Sequence, residues 1–236
     1  MPTRDPPPAN RLLAGLPDKA FRRLRAVLVP VRLDMAEVLY RPGEAIRYVY
    51  FPTGGVISVV VTMADGASAE AGMVGNEGVL GLWVVLGAGT SPFEAVVQEP
   101  AAALRVPAEA FAAEVARNGA LRDLLRRYTD AFLMMVSQSA ACNRLHAAEQ
   151  RLCRWLLMTH DRAGADGFLM TQEFLGRMLG VRRMSITAPA RKLQAAGLIR
   201  YTRGRMTVLD RAGLERAACE CYGVVRARLD GLLPPA

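Results

Sequence analysis

The segment from Thr171 to Arg205 contains the side chains best suited to bind an anion. It holds eight Arg or Lys residues and one acidic residue, Glu173. Guanidinium and ammonium groups hold phosphate oxygens through charge-assisted hydrogen bonds, and a guanidinium fork also matches the edge of a guanine base. The composition of this segment therefore predicts a polyanionic partner.

The charge of the whole chain is divided unevenly. The formal net charge is +8; residues 1–149 carry fifteen basic and fifteen acidic residues, whereas residues 150–236 carry fifteen and seven. A localised basic surface suits nucleic acid, and it would equally suit an acidic membrane surface. Charge alone leaves both partners open, although a membrane binder would also need a lipid-facing apolar stripe beside the basic face.

Two short helices separated by a tight turn are predicted within the basic segment. Thr171 is a good N-cap for a helix beginning at Gln172, and Gly180 suits the turn because glycine tolerates positive φ. A second helix is predicted from Arg182, with a buried face formed by Ile186, Ala190 and Leu193. Pro189 lies inside this helix, where it predicts a kink or a later helix start.

A basic hairpin is predicted directly after these helices. Gly197 ends the second helix, and the strands Leu198–Tyr201 and Met206–Leu209 are joined by a turn with the sequence Arg203-Gly204-Arg205. A helix-turn-helix beside such a wing places its second helix in the major groove of DNA. We therefore interpret the segment as a DNA-binding module rather than as a solvated basic face.

The position of each polar residue predicts its contact with DNA. Arg183, together with Arg182, is expected to bind a guanine edge, because the start of the second helix enters the groove first. Ser185 and Thr187 are expected to make shorter hydrogen bonds or methyl contacts to bases. Phosphate contacts are expected from Thr171, Gln172, Arg191, Lys192, Arg203 and Arg205.

The first half of the chain has a residue pattern typical of an antiparallel β structure. After two short helices between Asn10 and Val27, short β-branched runs separated by Gly, Pro and Asp extend to Val106. The pair Asp65-Gly66 predicts a hairpin with a type I′ turn. The apolar tract Val79–Leu86 is interpreted as core, with a ligand pocket as the alternative.

A long helix from about residue 121 to residue 146 is predicted to link the two halves. Its apolar positions alternate at spacings of four and three, which is typical of a seam between helices. We interpret this seam as a parallel homodimer interface rather than as packing within one domain. The seam residues are Leu121, Leu125, Tyr128, Phe132, Met135, Ser139 and Cys142.

These predictions define an α+β fold with three parts. Residues 1–118 form a jelly-roll-like antiparallel β-barrel, residues 119–147 a central dimerisation helix, and residues 148–236 a winged helix-turn-helix domain. The start of the chain has no apolar run typical of a signal peptide, and no stretch of eighteen apolar residues occurs. A soluble, cytoplasmic protein with no membrane partner is expected.

The order of these parts resembles the Crp/Fnr superfamily of transcription regulators over nearly the whole chain. The resemblance is carried by the sequences TQEFL from Thr171, LGVRR from Leu179 and GLI from Gly197, which look like the DNA-binding signature of that family. It implies a homodimer on a palindromic DNA site, RNA polymerase as a downstream partner, and a barrel that senses an effector.

The barrel departs from the nucleotide-binding members of that family. Those members carry a Gly-Glu pair followed by an Arg that neutralises the cyclic phosphate. Here Glu77 comes too early, and no Arg occurs between Arg47 and Arg105. A buried phosphate without a cation is costly, so cyclic AMP is not expected to bind in the usual manner. A barrel that binds a different small ligand remains the alternative.

No cofactor, metal site or enzymatic activity is expected. The four cysteines show no CxxC spacing, none precedes Cys142, and only His146 and His160 could complete a metal site. Cys219 and Cys221 are interpreted as reduced thiols that point in divergent directions from one helix. Phosphate-loop, nucleophile-elbow and metal-triad motifs are all missing from the sequence.

Overall fold

The N-terminal half is built from two facing β-sheets. The computed structural model describes residues 9–181 and 184–232. Two short helices, α1 (Arg11–Ala14) and α2 (Asp18–Arg25), precede seven strands, with one helical turn, α3 (Leu82–Val85), between the fifth and sixth. The strands are β1 (Val29–Leu33), β2 (Val38–Tyr40), β3 (Tyr48–Pro52), β4 (Val56–Thr62), β5 (Ser68–Val74), β6 (Glu94–Glu99) and β7 (Ala101–Pro107).

Both sheets are antiparallel, as the β-branched runs predict. One has the strand order β1-β7-β3 and the other β2-β6-β4-β5, so chain neighbours often lie in different sheets. Inward side chains of both sheets form one buried cluster, which includes Leu33, Ile57, Val74 and Val97. The tract from Val79 to Leu86 contributes core residues, and its Trp83 packs against Phe93 at a centroid distance of 5.6 Å.

The β4–β5 hairpin forms as predicted, but its turn is not type I′. Within this loop only Gly66 has positive φ, at 84°, whereas a type I′ turn requires positive φ at both central residues, here Asp65 and Gly66. The loop instead runs from Met63 to Ala67, whose backbone groups are joined by a 2.7 Å hydrogen bond. Asp65 supports this loop because its Oδ1 accepts a hydrogen bond from the amide of Ala67.

The predicted long helix is present, but its seam is buried within the chain. Helix α4 (Ala108–Arg117) leads into α5 (Gly119–Leu145). All seven seam residues except the half-buried Phe132 are at most 6% exposed. They pack on the chain's own barrel and C-terminal helix; a methyl group on Gly72 of β5 would lie 3.1 Å from Met135. The prediction that this seam contacts a second copy therefore does not agree with the structure.

The C-terminal part is a helical domain with a small sheet. Its elements are α6 (Ala148–Ala163), β8 (Gly167–Leu169), α7 (Gln172–Leu179), α8 (Met184–Ala195), β9 (Ile199–Thr202), β10 (Arg205–Val208), α9 (Arg211–Ala217) and α10 (Cys221–Leu232). The sheet order β8-β10-β9 adds a strand that the sequence analysis missed. Across the described ranges, none of the helices combines the length and apolar character of a membrane-spanning segment.

Helix α6 joins this domain to the barrel through buried polar contacts. Arg162 Nε lies 2.8 Å from Glu77 Oε1, and both side chains are about 5% exposed. Trp155 Nε1 donates a 3.0 Å hydrogen bond to Glu70 Oε1 of β5. Burying a charged pair costs solvation free energy, which good geometry recovers, so this contact fixes one arrangement of α6 on the barrel.

Glu70 ends a chain of hydrogen bonds that favours its protonated form. Ser58 Oγ lies 2.6 Å from Glu70 Oε2 and 2.8 Å from Gln98 Oε1, yet its one hydrogen can be donated to only one of them. A protonated Glu70 donating to Ser58, which donates to Gln98, satisfies both contacts. Burial raises the pKa of Glu70 to about 7, although the hydrogen bond from Trp155 and the charges of Arg154 and Arg162 favour the carboxylate.

The raised pKa of Glu70 predicts how stability depends on pH. Between pH 4.5 and 7 the folded state keeps a proton that the unfolded state releases, so this group lowers the free energy of unfolding as pH rises. From pH 5 to pH 8, the free energy of unfolding of Glu70→Gln should rise by on the order of 2 kcal/mol relative to that of the wild type. Urea unfolding at the two pH values measures this difference.

The matched control is Glu44→Gln, which changes an exposed carboxyl in a barrel loop. Its free energy of unfolding should follow that of the wild type across the same pH range. A constant difference between wild type and Glu70→Gln at both pH values would contradict the assignment of a neutral Glu70.

Candidate nucleic-acid interface

The first helix of the predicted helix-turn-helix begins and ends where the sequence places it. Thr171 is the N-cap of α7, and its Oγ1 accepts a 3.1 Å hydrogen bond from the amide of Phe174. Gly180 ends the helix with φ 61° and ψ 36°, a left-handed conformation that glycine adopts without strain. The cap satisfies the amide of Phe174, and the amides of Gln172 and Glu173 in the first turn of α7 have no acceptor within the helix.

The second helix, α8, presents a polar face to solvent. Ile186, Ala190 and Leu193 are at most 4% exposed, as their spacing predicts. Ser185, Arg191 and Lys192 are exposed, and Thr187 is half-buried. Arg182 and Arg183 lie outside the described residues, as does the side chain of Met184. The described part of α8 thus supplies hydroxyl groups and cations on one surface.

Helix α8 continues through Pro189, although proline has no amide hydrogen to donate. The carbonyl that this amide would bond is that of Ser185, four residues earlier. That carbonyl therefore does not receive the helical hydrogen bond that a residue with an amide hydrogen at this position would donate. The described helix starts at Met184, two residues after the predicted start, and because Arg182 and Arg183 lie outside the described residues the later start stays a prediction.

The wing is a two-residue hairpin with a basic tip. Thr202 pairs with Arg205, and between them Arg203 and Gly204 have φ values of 50° and 76°. Positive φ at both central positions defines a type I′ turn, and Arg203 is one of two non-glycine residues with positive φ in the described chain. The amide of Met170 donates a 2.6 Å hydrogen bond to Gly204, which fixes the tip beside the start of α7.

Two shallow grooves bring together residues of α7, α8 and the wing. The first is lined by Thr171, Gln172, Tyr201, Arg203 and Gly204. The second is lined by Gln172, Thr187, Ala190, Arg191, Gln194 and Tyr201. Five predicted contact residues therefore surround one continuous surface. We call this surface, formed by the two sets of lining residues, the basic groove.

Sequence reasoning missed two residues of the basic groove. The backbone amide of Tyr201 donates a 2.8 Å hydrogen bond to Gln194 Oε1, which fastens the wing to the end of α8. Spacings of four and three along α8 place Gln194 on the same face as Thr187 and Arg191, which is a usable signal in the sequence. Tyr201 had no such signal, because its position depends on how the wing folds back onto the helix.

Two predicted phosphate contacts are engaged elsewhere. Lys192 Nζ lies 3.1 Å from a carboxylate oxygen of Glu149 on α6, where the lysine side chain is exposed and the glutamate side chain half-buried. The guanidinium of Arg205 lies over Gly167 of β8 and lowers the pKa of Glu99 in the barrel. Burial is the larger influence on that carboxyl, and the net effect raises the pKa of Glu99 to about 7.

The chain matches two family models. The Cyclic nucleotide-binding domain matches residues 30–118, and the Crp-like helix-turn-helix domain matches residues 150–217. The first match covers the two facing sheets and α4, and the second covers α6 through α9 with the basic groove. A comparison with curated proteins gave no significant match.

Solved structures share the fold over most of their length. A protein described as a transcriptional regulator of the Crp/Fnr family from Eubacterium rectale has a TM-score of 0.69 at 15% identity, over 89% of this chain and 98% of that one. FixK2 from Bradyrhizobium japonicum has a TM-score of 0.69 at 17% identity, covering 82% and 98%. A transcriptional regulator of the CRP family from Thermus thermophilus has a TM-score of 0.61 at 24% identity, covering 80% and 96%.

At these identities the structural likeness establishes the fold, and the two domain matches establish the family. A cyclic nucleotide-binding domain followed by a Crp-like helix-turn-helix is the organisation of a DNA-binding regulator, not of an enzyme. This chain belongs to the Crp/Fnr family of transcription regulators.

Proposed function

We propose that the protein is a homodimeric regulator that reads a palindromic DNA site with α8 in the major groove. The observation that carries this proposal is the basic groove, where the N-terminus of α7, the polar face of α8 and the wing tip meet. A helix of this size fits the major groove, and the flanking elements reach the phosphates on either side.

The residues of the groove have distinct roles in this proposal. Thr171 and Gln172 hold a phosphate at the positive end of α7, and Arg203 holds one at the wing. Ser185 and Thr187 touch base edges, and Arg191 contacts the backbone. Arg182 and Arg183 bind guanine edges in this proposal, because they directly precede α8 in the sequence. Lys192 contributes less because it pairs with Glu149, and Arg205 contributes less because its guanidinium lies over Gly167 of β8.

We place the dimer contact on the outer face of α5 instead of on the buried seam. Leu133 is 63% exposed, and with Val136 and Ala140 it forms a row at spacings of three and four. A row of this kind is the apolar strip of a two-helix contact. An exposed leucine midway along a 27-residue helix is consistent with a covering partner, and a second copy of α5 supplies one with the same strip.

We also propose that the chain divides after residues 118 and 147. Asn118 ends α4 and caps α5, where its side chain accepts a 3.2 Å hydrogen bond from Leu121. His146 and Ala147 are extended between α5 and α6. Residues 1–118 would then be the sensor, 119–147 the dimer helix, and 148–236 the DNA-binding domain, acting in the cytoplasm with RNA polymerase as downstream partner.

The barrel is proposed not to bind cyclic AMP in the usual manner. Glu77, the acidic residue nearest the expected ligand position, is buried and ion-paired with Arg162. Val79, Leu80 and Leu82 are at most 5% exposed within the core. An effector-gated regulator whose barrel takes a different small ligand is the second candidate, and it is distinguished by whether DNA binding needs an added effector.

Selection from genomic duplex fragments tests the proposed function. We expect the purified full-length protein to enrich a palindrome with half-sites about one helical turn apart, and cyclic AMP to leave the enrichment unchanged. Arg183→Ala should lose or blur the enriched sequence, because a guanidinium pair to guanine is worth about 1–3 kcal/mol of discrimination.

The same selection can fail in two informative ways. Strong binding with no enriched sequence would reject sequence-specific reading, and vesicle flotation would then test an acidic membrane as the partner. Enrichment only after a metabolite extract is added would support the effector-gated candidate.

Arg203→Gly isolates the phosphate contact at the wing. The change removes one cation, while φ of 50° is a conformation that glycine adopts freely, so the fold should keep its stability to within about 1 kcal/mol. We expect weaker binding to all DNA sequences and a salt dependence of log Kobs reduced by about one unit.

Fluorescence anisotropy over a salt series measures this effect. Arg32→Ala is the matched control, because Arg32 is exposed on β1 of the barrel and its loss should leave the salt slope unchanged. Equal slopes for wild type and Arg203→Gly would show that the wing does not touch phosphate.

Leu133→Glu tests the outer face of α5 as the dimer contact. Placing a carboxylate in an apolar strip opposite its own copy adds desolvation and repulsion, so the variant should be monomeric at micromolar concentration. Sedimentation velocity measures the mass in solution. Leu86→Glu makes the same change at a 65% exposed position on the barrel and should remain dimeric. A dimeric Leu133→Glu protein would show that the dimer interface does not lie on this face of α5.

A further inference from the structure

Four metal-binding side chains converge where the end of α5 meets the start of α10. Cys142, His146, Cys219 and Cys221 place their ligand atoms within 4.8 Å of one another. Cys142 and His146 are four residues apart at the end of α5, so they lie on one face of the helix. Cys219 and Cys221 lie in the turn before α10 and at its first residue, not together in a helix as the sequence suggested.

Two of the six distances between these atoms are close to the edges of a tetrahedron around zinc, and all six are at most 4.8 Å. Cys142 Sγ lies 3.5 Å from Cys219 Sγ, and Cys221 Sγ lies 3.5 Å from His146 Nδ1. With Zn–S of about 2.3 Å and Zn–N of about 2.0 Å, tetrahedral edges are about 3.8 Å between sulfurs and about 3.5 Å between sulfur and nitrogen. In an iron-sulfur cluster at least some of the four ligands bind different irons, which places their ligand atoms further apart than the 4.8 Å within which all four lie here.

The groups around the four ligands are those that support a zinc thiolate site. His146 Nε2 lies 3.3 Å from Glu220 Oε1, which orients the ring so that Nδ1 faces Cys221. Gln138 Nε2 donates a 3.0 Å hydrogen bond to Cys221 Sγ. A carboxylate behind a histidine ligand and an amide donor to sulfur are typical outer contacts of bound zinc.

Two buried arginines next to the cluster need a negative charge. Arg151 and Arg154 are 7% and 4% exposed, and the Nε atom of each has no hydrogen-bond partner in the described residues. Neither forms an ion pair with a carboxylate within the described ranges, and both act electrostatically on Cys142. Uncompensated buried cations are costly. Zinc bound by three thiolates and one neutral imidazole carries a net charge of −1, which offsets part of the charge of these two guanidinium groups.

We propose that Cys142, His146, Cys219 and Cys221 form a structural Zn²⁺ site that fastens the C-terminal helix to the end of α5. All four positions around the metal are filled by protein, so the site is closed and holds no substrate. The three thiols are at most 4% exposed and form a buried cluster separate from the apolar cores. The bound metal ties α10 to α5 immediately before the link to the DNA-binding domain.

Metal analysis of the full-length protein, purified under reducing conditions, tests the site independently of DNA binding. We expect about one zinc per chain, and Co²⁺ substitution should produce the intense visible absorption of a tetrahedral thiolate site. Cys219→Ser should weaken metal affinity at least about 100-fold, with loss of that absorption. Cys153→Ser is the matched control, because Cys153 is equally buried but lies outside the cluster.

Two further variants keep the test decisive if Cys219→Ser does not fold. His146→Cys supplies a fourth thiolate, so it should retain the metal and shift the Co²⁺ spectrum. Glu220→Gln should raise the Kd for zinc by about 10-fold to 100-fold while the ligands remain in place. A reduced, folded wild-type protein without metal and without Co²⁺ absorption would overturn the proposal, as would a Cys142–Cys219 disulfide in the protein as isolated.

Discussion

The burial of α6 between the barrel and the helix-turn-helix is the constraint on which the rest of the structure depends. Ten of its sixteen residues are buried, among them Leu152, Trp155 and Leu156, and one apolar cluster runs from Val60 of the barrel through α6 to Ile186 of α8. A helix that is buried on all sides cannot move without opening both neighbours. The basic groove is therefore held at a fixed position relative to the sheets.

The polar residues of α6 make this arrangement specific. Arg162 pairs with Glu77, whereas Arg151 donates to the carbonyl of Leu179 at the end of α7, and Arg154 donates to Ser139 of α5. Apolar packing alone would tolerate sliding of the helix, but each of these contacts has a partner at one position. The cost of leaving a buried guanidinium unpaired then disfavours every other register. The proposed metal cluster extends this set of contacts to α10.

The local features of the site were predictable because they depend on neighbouring residues. Thr171 caps α7, Gly180 makes the turn, and Ile186, Ala190 and Leu193 form the buried face of α8, since capping, positive φ and helical period are properties of short segments. The missed features depend on distant residues. Lys192 was expected to be free for phosphate, but Glu149 reaches it from another helix.

The sequence by itself determined the order of sheets, long helix and winged helix-turn-helix, and the basic character of the groove. Hydrophobic period, helix caps and charge depend only on residues that are close together in the sequence. Only the tertiary structure decided which surfaces are covered. An apolar seam on α5 has the same spacing whether it meets a second copy or its own barrel, and here the barrel lies against it. Likewise, cysteines separated by 77 residues become neighbours through the packing of α10 on α5, which no spacing rule encodes.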